Sequence, residues 1–164
     1  ELSVKRGNFA GVEVLRKAGE TLRAGHHDLL QTVFATAIAE GLARAGRFDD
    51  ALRTIDDALA STKRNDGASF DLPEMLRLKG RVLLTMPSPD QALGERCLRQ
   101  ALDHAREQSA LGWELRAATG LADLYARRAD KTAARAILEP VYTRYAQGLG
   151  TADVLAAKDL LSTL

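Results

Sequence analysis

The sequence is short of cysteine, proline, aromatic residues and net charge, and each shortage removes a class of protein. A single cysteine, Cys97, in 164 residues allows no internal disulfide, provides no thiolate cluster for structural zinc or an iron–sulfur centre, and suits a reducing cytoplasm. It lies in an amphipathic run beside Leu98, where a free cysteine ordinarily serves as a small buried hydrophobe. Aromatic residues make up 5% and prolines number four, which argues against a β-sandwich or barrel, whose strands draw on aromatic and β-branched side chains. Twenty-three Lys plus Arg against 22 Asp plus Glu leave a formal charge of +1. That is too little for a bulk electrostatic grip on nucleic acid or anionic lipid, so any basic feature must be a local patch. No apolar run approaches the ~18 residues of a membrane span. The chain opens Glu1-Leu2-Ser3-Val4-Lys5-Arg6, with neither an initiator Met nor the apolar core of a signal peptide. The expectation is a cytoplasmic piece of a longer polypeptide that contacts neither membrane nor nucleic acid directly.

What is present is an apolar fraction of 46% and a charged fraction of 27%, with Ala and Leu together making up about a third of the residues, the balance of a soluble, helix-rich domain. Apolar residues recur at three- and four-residue spacing, and punctuation cuts the chain into about eight short helices. The first is expected from Gly7 to Ala24, broken by Gly25-His26-His27-Asp28. A second runs from about Leu29 to Ala45 and ends at Gly46, whose lack of a Cβ suits the left-handed position after a helix. A third follows Phe48, with Asp49 and Asp50 near its positive end, and fades between Ser61 and Ser69. Asp71-Leu72-Pro73-Glu74 opens a fourth, which stops at Met86-Pro87-Ser88-Pro89. A fifth extends from near Asp90 to about Gln108. Leu111-Gly112 is read as the spacer before a sixth, Trp113 to Arg128, and Ala129-Asp130-Lys131 as the turn into a seventh that reaches Ala146. Thr151 is expected to cap the last, Ala152 to Leu161.

Connections of two to six residues make sequential helices antiparallel neighbours, and the hairpins repeat. Ala35, Ile38, Ala39, Leu42, Gly46, Ala51, Ile55 and Ala58 superpose in spacing on Ala118, Leu121, Ala122, Tyr125, Ala129, Ala134 and Leu138. Leu76, Gly80, Leu83, Gly94, Leu98 and Ala101 form the copy between them, with Lys79 where an apolar residue is expected. Small residues fall where helices cross closely and larger ones where a ridge fills a groove. This pattern resembles the tetratricopeptide repeat, with a period of about 40 to 42 residues in place of the usual 34. The expected fold is all-α: antiparallel hairpins stacked as a tetratricopeptide-like right-handed solenoid. Residues 7–24 form a half-repeat, 29–62, 73–108 and 113–146 three repeats, and 151–162 a capping helix.

Three stretches carry a more specific likeness: Leu42-Ala43-Arg44-Ala45-Gly46-Arg47-Phe48-Asp49-Asp50-Ala51-Leu52, Glu74 through Leu84, and Trp113-Glu114-Leu115-Arg116-Ala117-Ala118. With Gly148 through Val154, Ala157 and Lys158, they resemble the C-terminal helical-repeat region of large bacterial predicted ATPases over roughly residues 8 to 164. The resemblance implies a parent protein with a P-loop ATPase module and either a nucleotide cyclase or a winged-helix transcriptional regulator domain.

No catalytic constellation emerges from the sequence. The glycines are scattered at helix ends and none forms a phosphate loop. His26-His27-Asp28 reads as a solvated turn, since adjacent positions seldom aim at one ion. Asp49-Asp50 and Asp56-Asp57 read as helix-start charges and an exposed face. Trp113, opening a helix, reads as packing at a hairpin junction. The expectation is a non-enzymatic module without cofactor or metal.

The remaining candidate is a surface. If the first helix of each pair lines the concave side, the positions free to bind are Thr36, Glu40 and Arg44, then Glu74, Arg77, Arg81 and Thr85, then Arg116, Thr119, Asp123 and Arg127. Five arginines against three carboxylates suggest a mildly basic groove for an acidic peptide or another domain of the parent chain, because Arg contacts carboxylates bidentately. The plainer reading is that these charges pair among themselves on a solvated face. Self-association as a homodimer, through a helix face left open by a missing repeat, and a small-molecule effector held between helices are the alternatives.

Overall fold

The computed structural model describes residue 11 and residues 28–64, 70–145 and 150–164. Among them the chain forms seven α-helices and no strand: α1 Asp28–Arg44, α2 Phe48–Arg64, α3 Leu72–Thr85, α4 Gln91–Glu107, α5 Leu111–Arg127, α6 Lys131–Tyr142 and α7 Ala152–Thr163. The fold class is all-α. None of these helices is long and apolar enough to cross a membrane. The helix expected over 7–24 and the His26-His27 turn lie outside the described residues, as does the stretch 65–69.

Local chemistry accounts for most of the boundaries. Asp90 and Asp130 cap α4 and α6, each carboxylate accepting the backbone N–H three residues on, Leu93 at 2.9 Å and Ala133 at 3.0 Å; this satisfies a donor that the first helical turn leaves without a partner. Pro73 sits in the first turn of α3, where its missing N–H costs nothing. Three helices close by one device. After α1 the N–H of Arg47 bonds the carbonyl of Leu42 and that of Gly46 bonds Ala43. The same pair of bonds recurs at Ala110 and Ser109 after α4, and at Asp130 and Ala129 after α5. The left-handed residue is Gly46 (φ 75°) in the first case, as expected, but Ser109 (φ 53°) and Ala129 (φ 61°) in the others.

The structure departs from the expected boundaries in three places. Leu111-Gly112 is not a spacer: the tight closure at Ser109 ends α4 so abruptly that α5 starts at Leu111. The sixth described helix ends at Tyr142 instead of Ala146, two residues past Pro140, which contributes no N–H. Thr151 stands at the N-cap of α7 in extended backbone, but its side chain makes no cap bond.

Helices pair as α1 with α2, α3 with α4 and α5 with α6. In addition the first helices pack on one another, α1 on α3, α3 on α5 and α5 on α7. Gly80 and Gly94 mark the closest crossing, between α3 and α4. A Cβ on Gly80 would lie 2.8 Å from the Gly94 carbonyl oxygen, and one on Gly94 would lie 2.7 Å from Cγ of Leu84. Cys97 is buried beside Leu98, and burial pushes its thiol above the ordinary range, consistent with a packing role. Lys79, the irregular position of the second repeat, reaches across to Asp56 on α2 at 2.5 Å, so an ion pair takes the place of an apolar contact.

The buried side chains form two clusters. One, around Ala39, Leu42, Ala51 and Ile55, joins α1 and α2 to Met75, Leu78 and Val82 on α3. The other runs from Leu76 on α3 through Leu98, Leu115, Leu121, Leu138 and Val154 to α7. Leu59 and Leu72, both partly buried, touch both clusters.

Candidate functional site

The first helices enclose one side of a cavity of about 760 Å³. From α1 come Val33, Thr36, Ala37 and Glu40. From α3 and the turn before it come Phe70, Asp71, Glu74, Arg77, Arg81, Leu84 and Thr85. Helix α5 contributes Trp113, Arg116, Thr119, Gly120, Asp123, Leu124 and Arg127, and α7 adds Asp153 and Ala156. The second helices supply only Gln91 and Leu98, and the turns Pro89 and Arg128. All the positions picked out by the repeat spacing therefore lie together on this cavity except Arg44, at the last turn of α1, which pairs with Glu40 at 3.1 Å.

The charges are arranged as a ladder between successive first helices. Arg81 on α3 donates to Glu40 on α1 at 3.0 Å, and Arg116 on α5 donates to Glu74 on α3 at 3.2 Å. These two pairs span 41 and 42 residues, one repeat each. The first helices thus run parallel, with like positions at like heights. Arg116 continues the ladder to Asp153 on α7 at 2.7 Å. Within α3, Arg77 grips Glu74 with two N–H groups at 2.8 and 2.9 Å, both side chains 15% exposed, and within α5 Arg127 pairs with Asp123 at 2.8 Å. Burial pushes the Glu40 carboxyl up, but the hydrogen bond and charge of Arg81, aided by Arg44 and Arg77, outweigh it and hold the group below the usual carboxylate range. For Arg116, burial pulls the guanidinium down and Asp153 and Glu74 more than restore it, so its net direction is up.

This geometry corrects the expected excess of positive charge. Five arginines on the cavity meet five carboxylates, because Asp71 and Asp153 join the three read from the repeats. Asp153 was missed since α7 was read only as a cap. Its place one repeat beyond Arg116, on the next first helix, was the available signal. The threonines Thr36, Thr85 and Thr119 each donate to the carbonyl four residues back, at 2.8 to 2.9 Å, so their hydroxyl protons are engaged within their own helices.

Aromatic character was also missed. Phe70, 49% exposed, stacks on Trp113 with ring centroids 5.8 Å apart and planes inclined by 29°. Trp113, in the first turn of α5, is half-buried, meets Phe70 from the turn before α3 and lines the cavity. Spacing points only to Trp113, which precedes Arg116 by three residues within α5 and so shares its face; Phe70 stands outside α3 and carries no such signal.

Two further ionic hubs tie second helices to first ones, and one of them reaches the cavity through Arg128. Glu114, almost fully buried, accepts from Arg106 at 3.2 Å and Arg144 at 2.6 Å. Glu95 on α4 accepts from Arg99, Arg128 and the hydroxyl of Tyr125. The arginine bonds, Arg99 first and Arg128 next, carry the Glu95 carboxyl down to about 2 against the opposing effect of burial. Among the described residues no group of three or more His, Cys, Asp or Glu side chains is placed to hold a metal ion. Comparison with protein-family models, with curated proteins and with solved structures finds no match to this chain.

Proposed function

We propose that this chain is a non-catalytic interaction module. In this reading it is a tetratricopeptide-like right-handed stack whose concave groove holds a peptide or a neighbouring domain, and it works as a sensor or scaffold arm of a longer bacterial signalling ATPase or transcriptional regulator. The observation that carries the reading is the coincidence of repeat spacing and cavity: the positions that stacking leaves free of core duty converge on one groove. Stacked hairpins bury a continuous core and leave such a surface extended, which suits binding to a chain. Paired charges support it as well, since a partner can exchange ion pairs without stranding a buried charge.

The test is selection of displayed peptides on immobilised protein, beside a variant with the groove filled. Thr119→Arg puts a long side chain into the cavity while keeping every residue of the ladder. Enrichment on the parent protein that disappears on Thr119→Arg is the expected result, and equal selection on both would sink the reading.

A second reading, a small effector molecule held in the groove, draws on the volume, which falls within the range of ~300–1,000 Å³ usual for ligand pockets. A metabolite that raises Tm in the parent protein but not in Thr119→Arg would favour it.

A further inference from the structure

The groove differs at its two ends, and the difference specifies an occupant. We propose, resting on the peptide reading above, that it takes an extended internal segment with an aromatic or large apolar side chain at one end and an acidic residue at the other.

The first end is the Phe70–Trp113 pair. Nearly half of Phe70 is open to solvent, and with Trp113 stacked on it the two rings present a joined apolar surface to the groove. Here two arginines face three carboxylates: Arg77 donates twice to Glu74, Arg116 bridges Glu74 and Asp153, and Asp71 lines the same end. This end offers apolar area and stacking geometry and no spare positive charge.

The second end, at the C-terminal turns of α3 and α5, is the opposite. Arg81 and Arg127 each spend one of a guanidinium's five N–H donors, on Glu40 and Asp123 respectively. Their side chains are 41% and 76% exposed. Arg128, which donates one N–H each to Glu95 and Gln91, also borders the cavity here. A carboxylate arriving among these three meets unused donors without evicting a partner, whereas a lysine meets their repulsion.

The spacing follows from the helix. Trp113 and Arg127 stand at opposite ends of α5, about 20 Å apart at 1.5 Å per residue. An extended chain covers that distance in about six residues. Apolar surface from Leu98, Leu124 and Gly120 lies between, so small uncharged residues suit the middle of the segment.

The experiment is selection from a displayed library of segments held at both ends within a carrier protein, so that free termini play no part. Four proteins are compared: the parent, Phe70→Ala, the double variant Arg81→Ala with Arg127→Ala, and Thr119→Arg. All are checked for helical circular dichroism and Tm, and Arg127→Ala alone serves if the double variant loses its fold. Expected on the parent is enrichment of segments with an aromatic or large apolar residue four to six positions from Asp or Glu. Phe70→Ala loses the anchor preference and keeps the acidic one. The arginine variants lose the acidic preference, with affinity for a selected segment falling about tenfold, the factor for one charge-assisted hydrogen bond. Enrichment that depends on an open groove but shows basic segments, or either preference without the other, overturns the inference and leaves the peptide reading standing. Selection indifferent to Thr119→Arg removes both.

Discussion

At the scale of single residues, the clearest strain sits at Ala129, which occupies the left-handed position that Gly46 fills in the equivalent turn. An L side chain there costs on the order of 1 kcal/mol, part of which glycine gives back through its freer unfolded chain. Ala129→Gly is accordingly expected to stabilise by about 0.5 kcal/mol, read as a rise in the urea midpoint with unchanged slope. Glu114 carries an asymmetric prediction. Its carboxylate is buried while Arg106 and Arg144 are about half exposed, so removing the acid lets both arginines turn to water, but removing both arginines strands a buried charge. Glu114→Gln is expected to cost about 1 kcal/mol and Arg106→Ala with Arg144→Ala about 3 kcal/mol, by denaturant unfolding at neutral pH. Glu95 sets a pH dependence. Its carboxyl titrates near 2 in the folded chain against 4.5 without its partners, so between those values the unfolded chain binds a proton that the folded one refuses. The stability it contributes is complete above pH 4.5 and drains away as pH falls toward 2. Tm is therefore expected to fall more steeply across this window in the parent than in Glu95→Gln.

At the scale of elements, helix ends are legible where they carry their own chemistry: Gly46 after α1, Pro73 in the first turn of α3, and Asp90 and Asp130 at the starts of α4 and α6 act within a few residues of themselves. The misplaced start of α5 shows where that legibility stops. Serine and alanine in the left-handed positions at 109 and 129 carry no glycine flag, although the same backbone bonds close their turns as at Gly46. Pro140 was visible, but whether a helix continues past a proline depends on what its later turns pack against. Helix α7 shows another limit. It looks like an end piece in sequence, yet its Asp153 is bonded to Arg116 as Glu74 is one repeat earlier, while Lys131 and Arg135 of α6 donate to the carbonyls of Thr163 and Leu161 at its far end. Two kinds of tether thus hold α7, one at each end. Arg116→Gln removes the first alone, and amide exchange is expected to accelerate in the opening turn of α7 while its last turn keeps the parent rate. Uniform exchange along α7 in both proteins would show the ion pair to be idle.

At the scale of the whole molecule, the groove was readable in outline because a repeat places like positions at like heights, so a period counted in residues becomes a row in space. Its character was not readable. Net charge depended on Asp153, and aromatic content on Phe70, which stands just outside a helix and outside the repeat count. The same linear order has a consequence for how the protein comes apart. The α1–α2 cluster meets the rest through one side of α3 and through Leu59 and Leu72, while each described helix touches only described neighbours one or two places along the chain. Such an array unzips by stages, since among the described residues no distant segment clasps the α1–α2 hairpin to α7. Leu59→Ala weakens the seam without entering the groove, and is expected to split a single urea transition into two, the earlier one reporting α1 and α2. The hairpin that bears Glu40 is then the part of the groove most easily lent to the solvent, and a partner lying across α1 and α3 would act as a clasp, raising the cooperativity of unfolding as well as its midpoint.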